Sequence, residues 1–136
     1  MGDKTQVLDL WNLLKPFWNK PREIRSNQPV LVINDAPLLS PDPLVRPAVL
    51  RDLEILLPAC VSMFTEEVGV SPVVGTSEQI YRARISEVIQ QRKMFARIDN
   101  SQVTFKAEIG VTTDKVSQIQ GVWVPPQLRG RNFGKA

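Results

Sequence analysis

Gln102-Val103-Thr104-Phe105-Lys106-Ala107-Glu108-Ile109-Gly110-Val111, then Thr112-Thr113-Asp114-Lys115, then Val116-Ser117-Gln118-Ile119-Gln120-Gly121-Val122-Trp123-Val124 decide the fold. The first run alternates, with Val103, Phe105, Ala107 and Ile109 on one face and Thr104, Lys106 and Glu108 on the other. That is the period of a strand with two unlike faces. The last run is β-branched and apolar, and the four polar residues between the runs read as a turn, so the two strands are expected to pair as an antiparallel hairpin.

Working towards the N-terminus, residues 94–98 read as a further strand, joined to residues 102–111 by an Asp99-Asn100-Ser101 turn. Ser77 is spaced to cap a helix over residues 78–93, whose apolar stripe is Ile80, Ala83, Ile85, Val88 and Ile89. Residues 53–67 form another helical pattern, with Asp52 at its start, Gly69 at its end and Pro58 inside it, which predicts a kink or two helical pieces. Residues 44–49 read as a strand. The order β-α-α-β-β-β is an α+β arrangement with a mainly antiparallel sheet. Residues 34–43 hold three prolines and two aspartates and are assigned as a linker. The expected organisation is an N-terminal arm, or the tail of a preceding domain, at 1–33, the linker at 34–43, and one domain at 44–136. The arm carries a helix with Val7, Leu8, Leu10, Trp11, Leu14, Phe17 and Trp18 near helical spacing. Asp3 or Thr5 caps it, Pro16 ends or kinks it, and a short strand follows at 30–33.

Composition sets limits on the chemistry. The chain has 136 residues, a formal net charge of +3 and no histidine. Without histidine there is no Ser-His-Asp or Cys-His dyad, and most zinc chemistry is excluded. Cys60, the single cysteine, lies among Leu57, Ala59, Val61 and Met63 and reads as a buried structural thiol. No run has the length needed to span a bilayer, and the N-terminus lacks the apolar segment of a signal peptide, so a cytoplasmic protein is expected. The basic residues are scattered among acidic ones, which argues against a nucleic-acid-binding face.

After the last strand the chain reads Pro125-Pro126-Gln127-Leu128-Arg129-Gly130-Arg131-Asn132-Phe133-Gly134-Lys135-Ala136. A basic, glycine-bearing loop directly after a strand is a means of cradling phosphate with backbone N–H groups. Arg129-Gly130-Arg131-Asn132-Phe133-Gly134 resembles the Arg/Gln-x-x-Gly-x-Gly/Ala loop of the GNAT (Gcn5-related) N-acetyltransferase family, with Asn132 in the place of the first motif glycine. Residues 118–124 are similar to that family's fourth strand, Phe95-Ala96-Arg97-Ile98 and residues 103–111 to its second and third, and Val45-Arg46-Pro47-Ala48 with Asp52-Leu53-Glu54-Ile55-Leu56 to its first strand and helix. The likeness is to an actinobacterial subfamily with an extra N-terminal domain.

The resemblance implies an acyl-CoA-dependent N-acetyltransferase with acetyl-CoA as co-substrate and no metal. The chain stops at the pyrophosphate loop, so it would be the N-terminal half of the fold, a truncated or partial form, and inactive in transfer by itself. The alternatives left open are a non-catalytic remnant of the same fold and an α+β binding or regulatory module. Val122, Trp123, Val124, Arg129, Gly130, Arg131, Asn132, Phe133, Gly134 and Lys135 would bind the cofactor. Glu66, Glu67 and Glu108 are the carboxylates that could take a proton from the acceptor amine, with Glu108 alternatively a structural partner of Lys106 or Arg97, and Tyr81 does not match the family's position for a proton donor to the thiolate. The acceptor is an amine that the sequence does not identify. A homodimer is left open, and neither a membrane nor a nucleic acid is expected as partner.

Overall fold

A computed structural model describes residues 3–25, 27–75 and 77–135, with the side chain of Lys135 outside that description. The chain divides into two compact units, Met1–Ala36 and Pro37–Ala136.

In the first unit, helix α1 spans Lys4–Leu14. Asp3 caps it, its carboxylate accepting from the N–H groups of Thr5 (3.0 Å) and Gln6 (3.2 Å). Pro16 cannot donate the next helical bond, so the last turn tightens into a 3₁₀ segment over Lys15–Phe17. No described residue of α1 is buried. The strand expected at 30–33 is absent: these residues are irregular, and Val30, Leu31 and Ile33 are almost fully exposed. Four apolar residues make a strand only when another strand supplies the ladder, and among the described residues of this unit none does.

The second unit is α+β. Strand β1 (Arg46–Pro47) leads through a 3₁₀ turn (Leu50–Asp52) into helix α2 (Leu53–Val68). Helix α3 (Ser77–Gln90) follows, and strands β2 (Met94–Asp99), β3 (Gln102–Thr112) and β4 (Ser117–Trp123) complete one sheet in the order β1-β2-β3-β4, antiparallel throughout. The hairpin expected from residues 102–124 forms, with Ile109 opposite Ile119.

Strand β1 is shorter than expected because Pro47 offers no N–H; Ala48 then donates to the Met94 carbonyl at 2.8 Å. Helix α2 is a single element despite Pro58. Only the bond from residue 58 to the Glu54 carbonyl is lost, and the flanking turns stay anchored through the buried Leu56, Ala59 and Cys60. Gly69 ends it in the left-handed conformation (φ 83°), its N–H on the Thr65 carbonyl. On α3 the buried stripe is Tyr81, Ile85 and Ile89, at i, i+4 and i+8, with Val88 partly buried, while Ile80 and Ala83 face out. Both α2 and α3 pack on one face of the sheet, closing a core of Leu56, Cys60, Ile85, Ile89, Met94 and Ala96.

The register decides which β3 residues face that core. Arg97 pairs with Phe105 but Ile98 with Val103, so Thr104 is an extra residue bulged out of β3. Met94 lies opposite Glu108 and Ala96 opposite Lys106, which places Lys106 and Glu108 on the helix-covered face beside the apolar core. Phe105, Ala107 and Ile109 therefore belong to the opposite face, and Val103 is separated from them by the bulge. The two faces of β3 expected from its alternation are thus present, and it is the charged one that meets the helices.

Candidate functional site

Strand β4 carries a second irregularity. From Lys106 opposite Trp123 to Glu108 opposite Gln120, β3 advances two residues and β4 three. The extra residue falls at Gly121–Val122, and Gly121 has φ 57°, the geometry of a bulge whose first residue must be glycine. A bulge leaves the extra residue outside the ladder, so backbone polar groups on this stretch are freed for other partners. A side chain here would also press closely on what lies beneath. A Cβ on Gly121 would sit 3.2 Å from Glu108 Oε1 and 3.4 Å from Lys106 Nζ.

That ion pair is the most unusual feature of the core. Lys106 is 0% exposed and Glu108 3%, with Nζ–Oε1 at 2.7 Å. Arg84 of α3 approaches the second carboxylate oxygen at 3.9 Å. Burying two charges costs several kcal/mol each, which their attraction recovers only in good geometry. Nearby, Cys60 is buried and its thiol is pushed up to about 11 by desolvation, with Lys106 acting against that shift. This is the inert structural thiol expected from its neighbours. Tyr81 is turned into the core, donating to the Cys60 carbonyl at 3.1 Å, and burial pushes its hydroxyl up to about 12.

Above the bulge lies a cavity of about 500 Å³ walled by Met63, Glu66 and Glu67 of α2, by residues 121–124 and by Arg129. Chain continuity explains the assembly. Trp123 faces the core side of β4, Pro125 and Pro126 turn the chain into a short 3₁₀ segment (Pro126–Leu128), and Arg129 emerges against α2. Its guanidinium grips Glu66 in a fork, both N–O distances 2.7 Å, and its Nε donates to the Val124 carbonyl at 3.1 Å. Trp123 Nε1 donates to the same carboxylate at 3.3 Å. The Arg129 bond, and after it the Trp123 bond, hold the Glu66 carboxyl below its ordinary value.

The structure thus brings together residues that the sequence placed in separate roles. Glu66 and Glu67 line the cavity, and Glu108 lies directly beneath Gly121. Val122, Trp123, Val124 and Arg129 line it as well. Beyond Arg129 the loop leaves this cavity. Gly130 (φ 77°) and Asn132 (φ 68°) both take the left-handed conformation, and Arg131 is exposed. Phe133 lies under Arg97, whose guanidinium carbon is 4.9 Å from the ring centroid. Arg97 is itself fixed by Asp42 (2.7 Å) and Asp99 (2.8 Å). A Cβ on Gly134 would touch only the Val124 side chain. The backbone of Lys135 belongs to the final 3₁₀ turn, Phe133–Lys135, which packs against β3.

Of the two partners the sequence offers Glu108, Lys106 is the one that holds it, and Arg97 is not. The burial of Lys106 and the place of Met63 in the cavity wall have no local signal in the sequence. For Arg97 a signal did exist: Asp99 stands two residues on, on the same face of β2, and is one of its two carboxylate partners.

A second cavity of about 940 Å³ runs along α2 from Glu54 to Glu66 and is closed by residues 101–103 and 125–128. Glu66 and Trp123 line both cavities. Among the described residues, no group of three or more His, Cys, Asp or Glu side chains is placed to hold a metal ion, and no helix is long and apolar enough to cross a membrane.

A family model described as a domain of unknown function (DUF4081) matches residues 1–56. The match takes in the whole first unit and, in the second, β1 and the first turn of α2. No curated protein and no solved structure matches the chain.

Proposed function

We propose that this chain carries the acyl-CoA side of an N-acetyltransferase, with β4 and the loop after it receiving acetyl-CoA and the cavity beside α2 receiving the amine. The observation that carries the reading is the convergence, on one cavity of about 500 Å³, of a strand bulge at Gly121–Val122, a guanidinium from the following loop and a helix carboxylate. A volume of this size suits a small ligand, for which pockets span roughly 300–1,000 Å³. The bulge supplies backbone groups outside the ladder for an amide-bearing chain such as pantetheine. Arg129 and Arg131 supply positive charge where its diphosphate would lie, in the fork geometry that favours phosphate. The resemblance of residues 44–136 to GNAT proteins supports the same placement.

In the reaction so assigned, the neutral amine nitrogen attacks the thioester carbonyl carbon. The new N–C bond forms, the C–S bond breaks, and the proton lost by nitrogen ends on the departing sulfur, giving amide and thiol. Glu66 borders the cavity and is the carboxylate placed to accept that proton in transit. Glu108, locked under Gly121 by Lys106, supports the bulge from beneath and is not free to take that proton. Tyr81 is bound into the core and does not serve as the acid. A cytoplasmic location accords with this reading.

Arg131 gives the test. Its substitution by alanine should weaken acetyl-CoA binding about tenfold, the worth of about 1.4 kcal/mol expected for one charge-assisted phosphate contact, with the fold unchanged by circular dichroism. Equal affinity in calorimetric titrations of Arg131→Ala and the natural protein would remove the loop from the phosphate site. Binding of acetyl-CoA without transfer to any amine, in a protein that retains the full site, would favour a binding module of the same fold.

A further inference from the structure

We infer that Glu66 is an exchangeable carboxylate: it surrenders Arg129 to a phosphate of the incoming ligand and takes in its place the ammonium group of an acceptor whose apolar body lies along α2. The inference rests on the acyl-CoA reading above and adds to it the class of acceptor and the means by which the two ligands sense each other.

Three observations carry it. First, the guanidinium assigned to phosphate is already occupied. Glu66 holds it through two bonds of 2.7 Å, in the same fork that a phosphate would use. One guanidinium edge cannot serve both anions, so ligand phosphate and Glu66 compete. Second, the pair is easily parted. Its side chains are 46% and 49% exposed, and ion pairs in such positions contribute little, whereas a diphosphate brings more charge and more oxygens. Third, Glu66 stands at the junction of the two cavities. The larger one is lined by Ile55, Pro58, Val61, Val103, Pro125 and Leu128. Its other carboxylate, Glu54, is paired with Arg82. Once parted from Arg129, Glu66 is a carboxylate at the head of an apolar groove, held by the Trp123 indole alone among its present partners. The ligand that satisfies both features is a primary amine on an apolar body, its ammonium on Glu66 and its hydrocarbon along α2. Charge complementarity selects it over a neutral or acidic molecule of the same shape.

The exchange makes the two ligands mutually supportive, and coupling of this kind is reciprocal. Phenethylamine and the uncharged phenethyl alcohol serve as probes for the groove, and acetyl-CoA and pyrophosphate for Arg129. Affinities are followed by NMR titration of the whole chain. Acetyl-CoA, and pyrophosphate more weakly, should tighten phenethylamine binding by about two- to fivefold, the measured range for parting an exposed ion pair, and leave the alcohol unaffected. Glu66→Gln should bind acetyl-CoA about two- to fivefold more tightly than the natural protein and lose the coupling. Arg129→Ala should weaken acetyl-CoA and lose the coupling too. Both side chains are half exposed, so these variants leave the core intact.

Unchanged or weaker acetyl-CoA binding by Glu66→Gln, with Arg129→Ala still impaired, would overturn the exchange while leaving the acyl-CoA reading standing. Equal coupling for amine and alcohol would overturn the acceptor class. Undiminished acetyl-CoA binding by Arg129→Ala, or no binding of acetyl-CoA and pyrophosphate by any variant, would overturn the reading and the inference together.

Discussion

Lys106 and Glu108 show how far a single residue's role depends on register. Each would pass for a solvated strand residue, yet both are sealed between sheet and helices and joined at 2.7 Å. A buried pair is poor at adding stability but costly to break, since removing one partner strands the other charge. Lys106→Met alone and Glu108→Leu alone should each destabilise the protein by about 3–5 kcal/mol, while the double variant should recover most of that loss. Urea denaturation of the four proteins measures the cycle; additive losses would mean that the two side chains are not coupled. The pairing itself was legible from the two-residue spacing, but its burial was not, because the apolar residues Phe105, Ala107 and Ile109 present the more obvious inward face. That face exists, but the last turn of the chain covers it in part, through Phe133 and Arg97, while the charged face meets the helices.

At the scale of elements, the helices, the hairpin and the antiparallel pairing were legible, because capping residues, glycine stops and two-residue periodicity are local signals. Asp3 and Gly69 act where the sequence places them. What local signals could not supply was the two bulges, at Thr104 and Gly121, which depend on the partner strand. The 30–33 segment failed for a related reason, since β propensity without a neighbour makes no strand. Asp52 is a further instance. It stands at the start of α2 but caps nothing there. Its carboxylate instead accepts two bonds from Arg46 (2.7 and 3.0 Å) and one from the Val49 N–H (2.9 Å), tying β1 to the helix entry. Arg46 above all, and then Val49, hold its pKa below the ordinary 3.8. A carboxyl whose folded pKa is depressed contributes stability above its unfolded pKa and loses it as pH falls through the folded one. Asp52→Asn should therefore be about 1–2 kcal/mol less stable near pH 7, and the gap should close as pH drops below about 4. A gap independent of pH would assign the loss to packing. In the β2–β3 turn, Asn100 (φ 50°) and Ser101 (φ 59°) both occupy the left-handed region, the form of a two-residue hairpin turn that favours Asn-Gly. Ser101→Gly should raise stability by roughly 0.5–1 kcal/mol, read as a higher urea midpoint at unchanged slope; a lower midpoint would contradict the turn assignment.

At the scale of the whole molecule, the two units differ in kind. The second encloses a core and carries the candidate site, while the described residues of the first bury no side chain fully. The family match at residues 1–56 runs through the division at Ala36. In the second unit, α2 on one side and the sheet on the other hold the final loop at two points. Arg129 is bound to Glu66, and Phe133 lies under Arg97. Between these anchors stand the exposed Arg131 and the left-handed Gly130 and Asn132. The acyl-CoA reading requires that this span, together with the β4 bulge, be where the cofactor touches the chain. Backbone amide NMR during an acetyl-CoA titration tests that claim most directly. The account predicts saturable shifts at residues 121–124 and 129–134 and at the facing end of α2 around Glu66, with Arg131→Ala moving the midpoint about tenfold higher. Shifts centred on other surfaces, or none up to millimolar acetyl-CoA, would contradict it.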